Sequence, residues 1–254
     1  MRFALLGSGS EGNALVVQSG ATLLLLDCGF SVSETLLRLQ RLQLDPASIS
    51  GILVTHEHSD HLGGVARLAR RFNLPVWMTH GTLRFQQQKM SGLLVHEISA
   101  HHRFRIGDLE IEPCPVPHDA AEPVQYVFSD GAHRLGVLTD TGHITPHIAT
   151  TFHACHALVL ECNHDAEMLR SGRYPASLKQ RVGGLYGHLN NYQSAEFLAS
   201  LDTARLQHVV AAHLSAHNNT PQLAVRALSA VLSCREDEIA VATQAEGLGW
   251  RGIG

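Results

Sequence analysis

The chain has 254 residues, 44% of them hydrophobic, with a formal net charge of −4. That length is ample for a sizeable core, and the charge excludes a globally basic nucleic-acid or membrane-surface protein, so any polyanion contact has to be local. The five cysteines are scattered with no CxxC pair, which fits a reducing, cytoplasmic compartment rather than a disulfide framework, while eighteen histidines are the outlier in the composition. The first apolar run breaks at Gly7-Ser8, too soon for a signal sequence, and no run approaches the roughly 18 residues that a membrane helix needs.

In chain order, the pattern predicts strands at 2–6, 14–18 and 22–26, with a Gly/Ser loop at 7–13 and a turn at Ser19-Gly20. Ser31 or Ser33 caps a helix running to residue 42, and Asp45-Pro46 opens a linker into a short buried strand at 51–54. Helical spacing follows over 62–72, with Asp60 and His61 at its start. A strand at 75–78 and a helix at 79–88 come next, then β-rich segments at 94–97, 103–106 and 109–116, and a hairpin of 124–129 with 134–138. The second half alternates: helix 144–152, strand 157–160 ending in Glu161, helices 166–169, 176–182 and 193–201, strand 206–212, helix 221–232, strand 238–242 and a Gly-rich tail. No fixed repeat and no linker is visible, so one domain, 1–254, with helices outside two packed sheets is the simplest arrangement.

Chemistry-bearing residues recur where apolar strands end. His56, His58, Asp60 and His61 fall within six positions after the strand at 51–54. His118 follows the strand closed by Val116, Asp140 follows the strand ending at Leu138, and His213 follows the strand ending at Ala212. Strand ends at one sheet edge are neighbours in space, so a single site can collect these side chains. Imidazole and carboxylate are the usual ligands of zinc and similar divalent ions.

His56-x-His58-x-Asp60-His61, followed in order by His118, Asp140 and His213, resembles the metallo-β-lactamase fold family over essentially the whole chain. The resemblance implies an α/β (α+β) fold, a four-layer αββα sandwich, with two divalent metal ions, Zn²⁺ or Mn²⁺. It implies that His56, His58 and His118 hold one ion, that Asp60, His61 and His213 hold the other, and that Asp140 bridges them. Two ions about 3.5–4 Å apart bind one water and lower its pKa, so the expected nucleophile is a bridging hydroxide that Asp60 also orients. A carboxylate in place of His58 would suit an iron redox site; the histidine favours hydrolysis.

A narrower likeness rests on other stretches: Ser8-Gly9-Ser10-Glu11-Gly12-Asn13, Asn163-His164-Asp165, Gly187-His188-Leu189-Asn190-Asn191, and the run from His213 to Asn219. These are similar to the YycJ (WalJ) group, relatives of ribonuclease Z and ribonuclease J, with Asn190 and Cys162 as departures where Ser is usual. The group implies a cytoplasmic exonuclease acting on DNA, rather than RNA, from the 5′ end. Physically, Ser8, Ser10 and Asn13 can offer hydroxyl and N–H groups to a phosphate. His188 and His164 are imidazoles beyond the metal set, able to contact the scissile phosphate or protonate the leaving oxygen, with Asn163 beside them and Glu161 or Asp165 to orient one. Arg170, Arg173, Lys179 and Arg181 form a local basic stretch that can grip a nucleic-acid backbone, flanked by Tyr174 and Tyr186 for stacking. Only about twenty residues separate Asp140 from Glu161, so the large extra domain of ribonuclease J relatives is missing, and substrate grip has to come from the core or from a homo-oligomer. Two other readings stay open: a thioester or small-ester hydrolase of the glyoxalase II kind, which the acidic balance favours, and a non-catalytic metal-dependent scaffold in a repair or cell-wall regulatory complex.

Overall fold

Thr22-Leu23-Leu24-Leu25-Leu26 is buried at every position, which a strand shows only when both faces of its sheet are covered. The computed structural model, which describes residues 1–254, places it third in an antiparallel meander of β1 (Arg2–Gly7), β2 (Ala14–Ser19) and β3 (Thr22–Leu26). Three parallel strands then follow: β4 (Gly51–Leu53), β5 (Val76–Thr79) and β6 (Val95–Ile98). Their crossovers carry α1 (Val32–Arg41), the pair α2 (Ser59–Leu62) and α3 (Val65–Phe72), and α4 (His80–Met90).

The second sheet repeats this plan. Antiparallel β7 (Phe104–Ile106), β8 (Leu109–Pro115), β9 (Val124–Ser129) and β10 (Arg134–Leu138) lead into parallel β11 (Ala157–Glu161), β12 (His208–Ala212) and β13 (Ala240–Val241). Between β10 and β11 lies α5 (Pro146–Thr151). Between β11 and β12 lie α6 (Ala166–Ser171), α7 (Ala176–Val182) and α8 (Asn191–Ser200), and α9 (Pro221–Leu232) precedes β13. The chain closes with β14 (Leu248–Gly252), which returns to the first sheet and pairs antiparallel with β1. Each sheet has seven strands.

Phe3, Leu24 and Leu53 of the first sheet meet Ile111, Tyr126, Phe128 and Val159 of the second in a shared core. The outer face of the first sheet packs against Leu39, Val65 and Leu68; that of the second packs against Ile148, Phe152, Leu198 and Leu228. The result is the four-layer αββα sandwich. Tyr126, fully buried between the sheets, ties them by donating to the Val54 carbonyl at 2.9 Å.

Two expectations change. The Gly-rich tail is the edge strand β14, whose Trp250 packs under the Arg2 guanidinium at 4.1 Å and donates from Nε1 to the Leu42 carbonyl. The helix expected over 62–72 is two helices, broken at Gly63-Gly64. A Cβ on Gly64 would sit 2.0 Å from the Phe30 carbonyl oxygen, so the bend exists where two backbones meet.

Candidate metal centre

The parallel strands of both sheets end at one edge, and the site is built there. Asp27 follows β3, Asp140 follows β10 and His213 follows β12, all with left-handed φ of 58°, 50° and 56°. Such backbone in a non-glycine residue costs roughly 1–3 kcal/mol; here it turns three chemistry-bearing side chains into one space.

His56 comes off β4 fully buried, with Nδ1 2.9 Å from Thr55 Oγ1. The Thr55 hydroxyl donates onward to Asp27 Oδ2 at 2.8 Å, so its oxygen accepts from His56 Nδ1 and leaves Nε2 facing the site. His58 donates from Nε2 to the Asp119 carbonyl at 3.1 Å, which leaves its Nδ1 inward, 3.3 Å from His118 Nε2. His118 in turn donates from Nδ1 to the Gly187 carbonyl at 3.1 Å. On the other side, His61 donates from Nδ1 to Asp27 Oδ2 at 2.8 Å, and His213 from Nδ1 to Glu161 Oε1 at 3.1 Å. Every imidazole is fixed through its outer nitrogen, the arrangement that orients metal-binding histidines.

The donor atoms of His56, His58 and His118 lie within 4.8 Å of one another, as do those of Asp60, His61 and His213. Asp140 stands between the two groups: Oδ2 is 3.3 Å from His61 Nε2, and Oδ1 is 3.5 Å from His213 Nε2 and 4.0 Å from His118 Nε2. Three of these atoms, His56 Nε2, Asp140 Oδ2 and His213 Nε2, are buried without any protein hydrogen-bond partner. Buried polar atoms are rarely left so. Cations held in the His56 group and in the His213 group, with Asp140 between them, would satisfy all three, and the mixed imidazole and carboxylate donors suit divalent ions.

Electrostatics agree with that fit. Burial, then the neighbouring His61, pushes the His56 ring well below its ordinary pKa and keeps it a neutral donor. Burial also opposes charge on His61 and His213, but Asp140 above all, with Asp27 and Asp60 for the first and Asp60 and Glu161 for the second, outweighs it. His61 is held well above its ordinary value and His213 at about 10. An entering cation therefore competes with protons.

Several residues brace this centre. Asn13 donates from Nδ2 to Asp60 Oδ2 at 3.2 Å, and its backbone N–H donates to the Asp60 carbonyl at 2.7 Å. Ser8 Oγ accepts from the His213 N–H at 2.8 Å. Both residues are buried, so they act inward on the ligands. Glu161, fully buried, accepts through Oε1 from His213 and from His188 Nδ1 at 2.8 Å, and through Oε2 from the Thr141 and Leu189 N–H groups. Asp165, the other acid considered for orienting a histidine, instead caps α6. The role of Asp27 was not assigned from the sequence; the available signal was an aspartate ending a buried strand, as at Asp140.

Over the centre opens a cleft of about 220 Å³, lined by His58, Asp60, Asp140, His188 and His213 with Ser10, Asn163, Tyr174, Arg181 and Ser215. His164 and Arg173 do not line it. His164 is buried, its Nδ1 3.3 Å from Asn163 Oδ1, and burial depresses its ring to about 4. No helix is long and apolar enough to cross a membrane.

Comparison with known proteins agrees with this geometry. The family description "Beta-lactamase superfamily domain" matches residues 22–213. Exodeoxyribonuclease YycJ of Bacillus anthracis is 38% identical over 240 residues, 91% of this chain and 89% of its own. Exodeoxyribonuclease WalJ of Streptococcus pneumoniae serotype 2 (strain D39) is 34% identical over 230 residues, 88% of this chain and 85% of its own. Among solved structures, the metallo-β-lactamase fold protein YhfI from Bacillus subtilis superposes with a TM-score of 0.75 at 17% identity over 98% of each chain, a likeness of fold. The chain therefore belongs to the β-lactamase superfamily, as a metallo-β-lactamase fold protein of the YycJ/WalJ branch.

Proposed function

We propose that this protein is a metal-dependent nuclease, a 5′-to-3′ DNA exonuclease working as a single domain, with two divalent ions, Zn²⁺ or Mn²⁺, in its site. The observation that carries the reading is a set of three unpartnered buried donor atoms, on His56, Asp140 and His213, the last two of which line a polar cleft. Similarity across about nine-tenths of a relative named an exodeoxyribonuclease supports the choice of DNA. Four cysteines are buried and none is paired, in keeping with work in the cytoplasm.

His56, His58 and His118 would hold one ion, Asp60, His61 and His213 the other, with Asp140 common to both. When bound, the ions supply Lewis acidity that activates water near neutral pH and neutralises charge on a phosphoryl oxygen. Asp60, held by Asn13, orients the attacking water through its carboxylate. His188 is fixed by the Glu161 carboxylate at Nδ1, so its Nε2 is the atom that meets the cleft and gives a proton to the leaving oxygen. Ser10 and Asn163 contact the substrate. Ser8, Asn13 and His164 support from behind, because they do not line the cleft.

Purified protein with Mn²⁺ should release nucleotides from the 5′ end of labelled single- or double-stranded DNA, and Asp60→Ala should abolish release. No cleavage, or cleavage that survives Asp60→Ala, overturns the reading; turnover of S-lactoylglutathione by the same sample would put a thioesterase in its place.

A further inference from the structure

Of the residues that line the cleft, Arg181 is the one arginine or lysine, facing a lining that includes Asp60, Asp119 and Asp140. It stands in the last turn of α7 with its side chain 62% exposed. Its Nε donates to Asp119 Oδ2 at 2.6 Å. A guanidinium has five N–H donors in a planar fork, so a single bond at Nε leaves its two terminal amino groups for a ligand. Asp119 is itself held on both sides: its N–H donates to the Tyr186 carbonyl at 3.1 Å, and its carbonyl accepts from His58.

The rest of the basic stretch is used differently. Arg170 is paired with Glu167 through Nε and a terminal amino group, and the Lys179 ammonium donates to the Arg170 carbonyl at 2.8 Å. Arg173 stays outside the cleft lining. A run of cations that reads as uniform along the chain thus delivers one to the site. Asp119 Oδ1 lies 3.5 Å from His118 Nε2 and 3.8 Å from His58 Nε2, so a carboxylate separates the guanidinium from the metal-facing imidazoles.

Resting on the nuclease reading above, we propose that Arg181 is a phosphate-binding residue, whose guanidinium, oriented by Asp119, grips a backbone phosphate flanking the scissile one. The intervening carboxylate keeps it off the reacting phosphate, where the metal-facing donors converge. Arginine suits the task because its fork pairs two phosphate oxygens at once.

The test measures cleavage and, by anisotropy, binding of a 5′-labelled single-stranded oligonucleotide with Mn²⁺ between 50 and 200 mM salt. Arg181→Ala should raise KM and Kd about tenfold with kcat within about twofold, since it removes binding common to ground and transition states. It should also flatten the salt dependence by about 0.7 in the log–log slope, one phosphate contact on a single strand. Arg181→Lys should keep the slope and recover affinity only in part. Asp119→Ala should raise KM less, and add nothing to Arg181→Ala in the double variant. Arg170→Ala should match the wild type. Unchanged KM and slope in Arg181→Ala, or a fall in kcat alone, overturns the proposal. Wild-type protein that binds the oligonucleotide without cleaving it overturns the nuclease reading while the binding arm still judges Arg181; protein that neither binds nor cleaves overturns both.

Discussion

Asp27 and Glu161 present no atom to the cleft, yet each fixes the outer nitrogen of a histidine from the metal group and takes backbone or hydroxyl donors on its remaining lone pairs. In Glu161→Gln, one amide face must aim donors either at two ring N–H groups or at the Thr141 and Leu189 N–H groups. Metal affinity is expected to fall about 10–100-fold in a competition titration, with secondary structure retained. Protons raise the same issue: because carboxylates hold His61 and His213 charged, with His213 at about 10, metal affinity should climb from pH 6.5 to pH 8.0 in isothermal titration. A separate pH effect belongs to Asp130. Burial pushes its carboxyl up, but the His133 and Ala132 N–H groups, the His133 ring and the Met1 ammonium outweigh this and hold it below its ordinary value. A depressed carboxyl stabilises the fold fully above its unfolded pKa, about 4, and loses that contribution as pH falls. Wild type should therefore exceed Asp130→Asn in unfolding free energy from urea titration at pH 7 by under about 1 kcal/mol, and the gap should close in acid. The seven ligand candidates stood out because they cluster just beyond the ends of apolar runs, in an order of histidines and aspartates that resembles the metallo-β-lactamase family. Asp27 did not, since a bracing acid at a strand end looks like any other. Arg181 could not be told from Arg173, because its place in α7 and the partner Asp119, 62 positions away, decide which cation reaches the cleft.

At the scale of elements, the loop between β4 and α3 is shaped by close backbone approach. A Cβ on Gly29 would lie 1.8 Å from the Asp60 carbonyl oxygen, the same atom that accepts from Asn13. Gly29→Ala is thus expected to displace Asp60 and cost about 10²-fold in kcat, a loss of the size that an ångström of misplacement brings. Retained activity, measured on labelled DNA, would show that the loop tolerates the shift. Strand and helix order were readable from the apolar runs and from a cap such as Ser31, whereas the caps Thr145 and Thr220 emerge only in the fold. β14 was hidden because its glycines mimic a loop and its exposure alternates only partly; its place is set by pairing with β1 at the other end of the chain. The helix break at Gly63-Gly64 was passed over although two glycines disfavour helix; the fold adds a close approach of the Phe30 carbonyl that leaves Gly64 no room for a side chain.

Across the whole molecule, the donor set is divided between the two sheets: His56, His58, Asp60 and His61 follow β4, whereas His118, Asp140 and His213 follow strands of the second sheet. An ion bound by both groups would add a bond between layers already joined by side-chain packing, by Tyr126 and by hydrogen bonds such as that of the His213 N–H to Ser8 Oγ. Removing metal with a chelator should lower the melting temperature and abolish cleavage, and Mn²⁺ or Zn²⁺ in excess should restore both, because a ligand that binds only the folded state stabilises it by mass action. The division has a temporal consequence. Neither half of the chain, when it leaves the ribosome, owns a complete coordination shell, so tight metal capture has to wait until the second sheet has docked on the first. An ion held by both groups would then certify assembly: a half-made chain would lack the full ligand set, and an open seam between the layers would let the metal go.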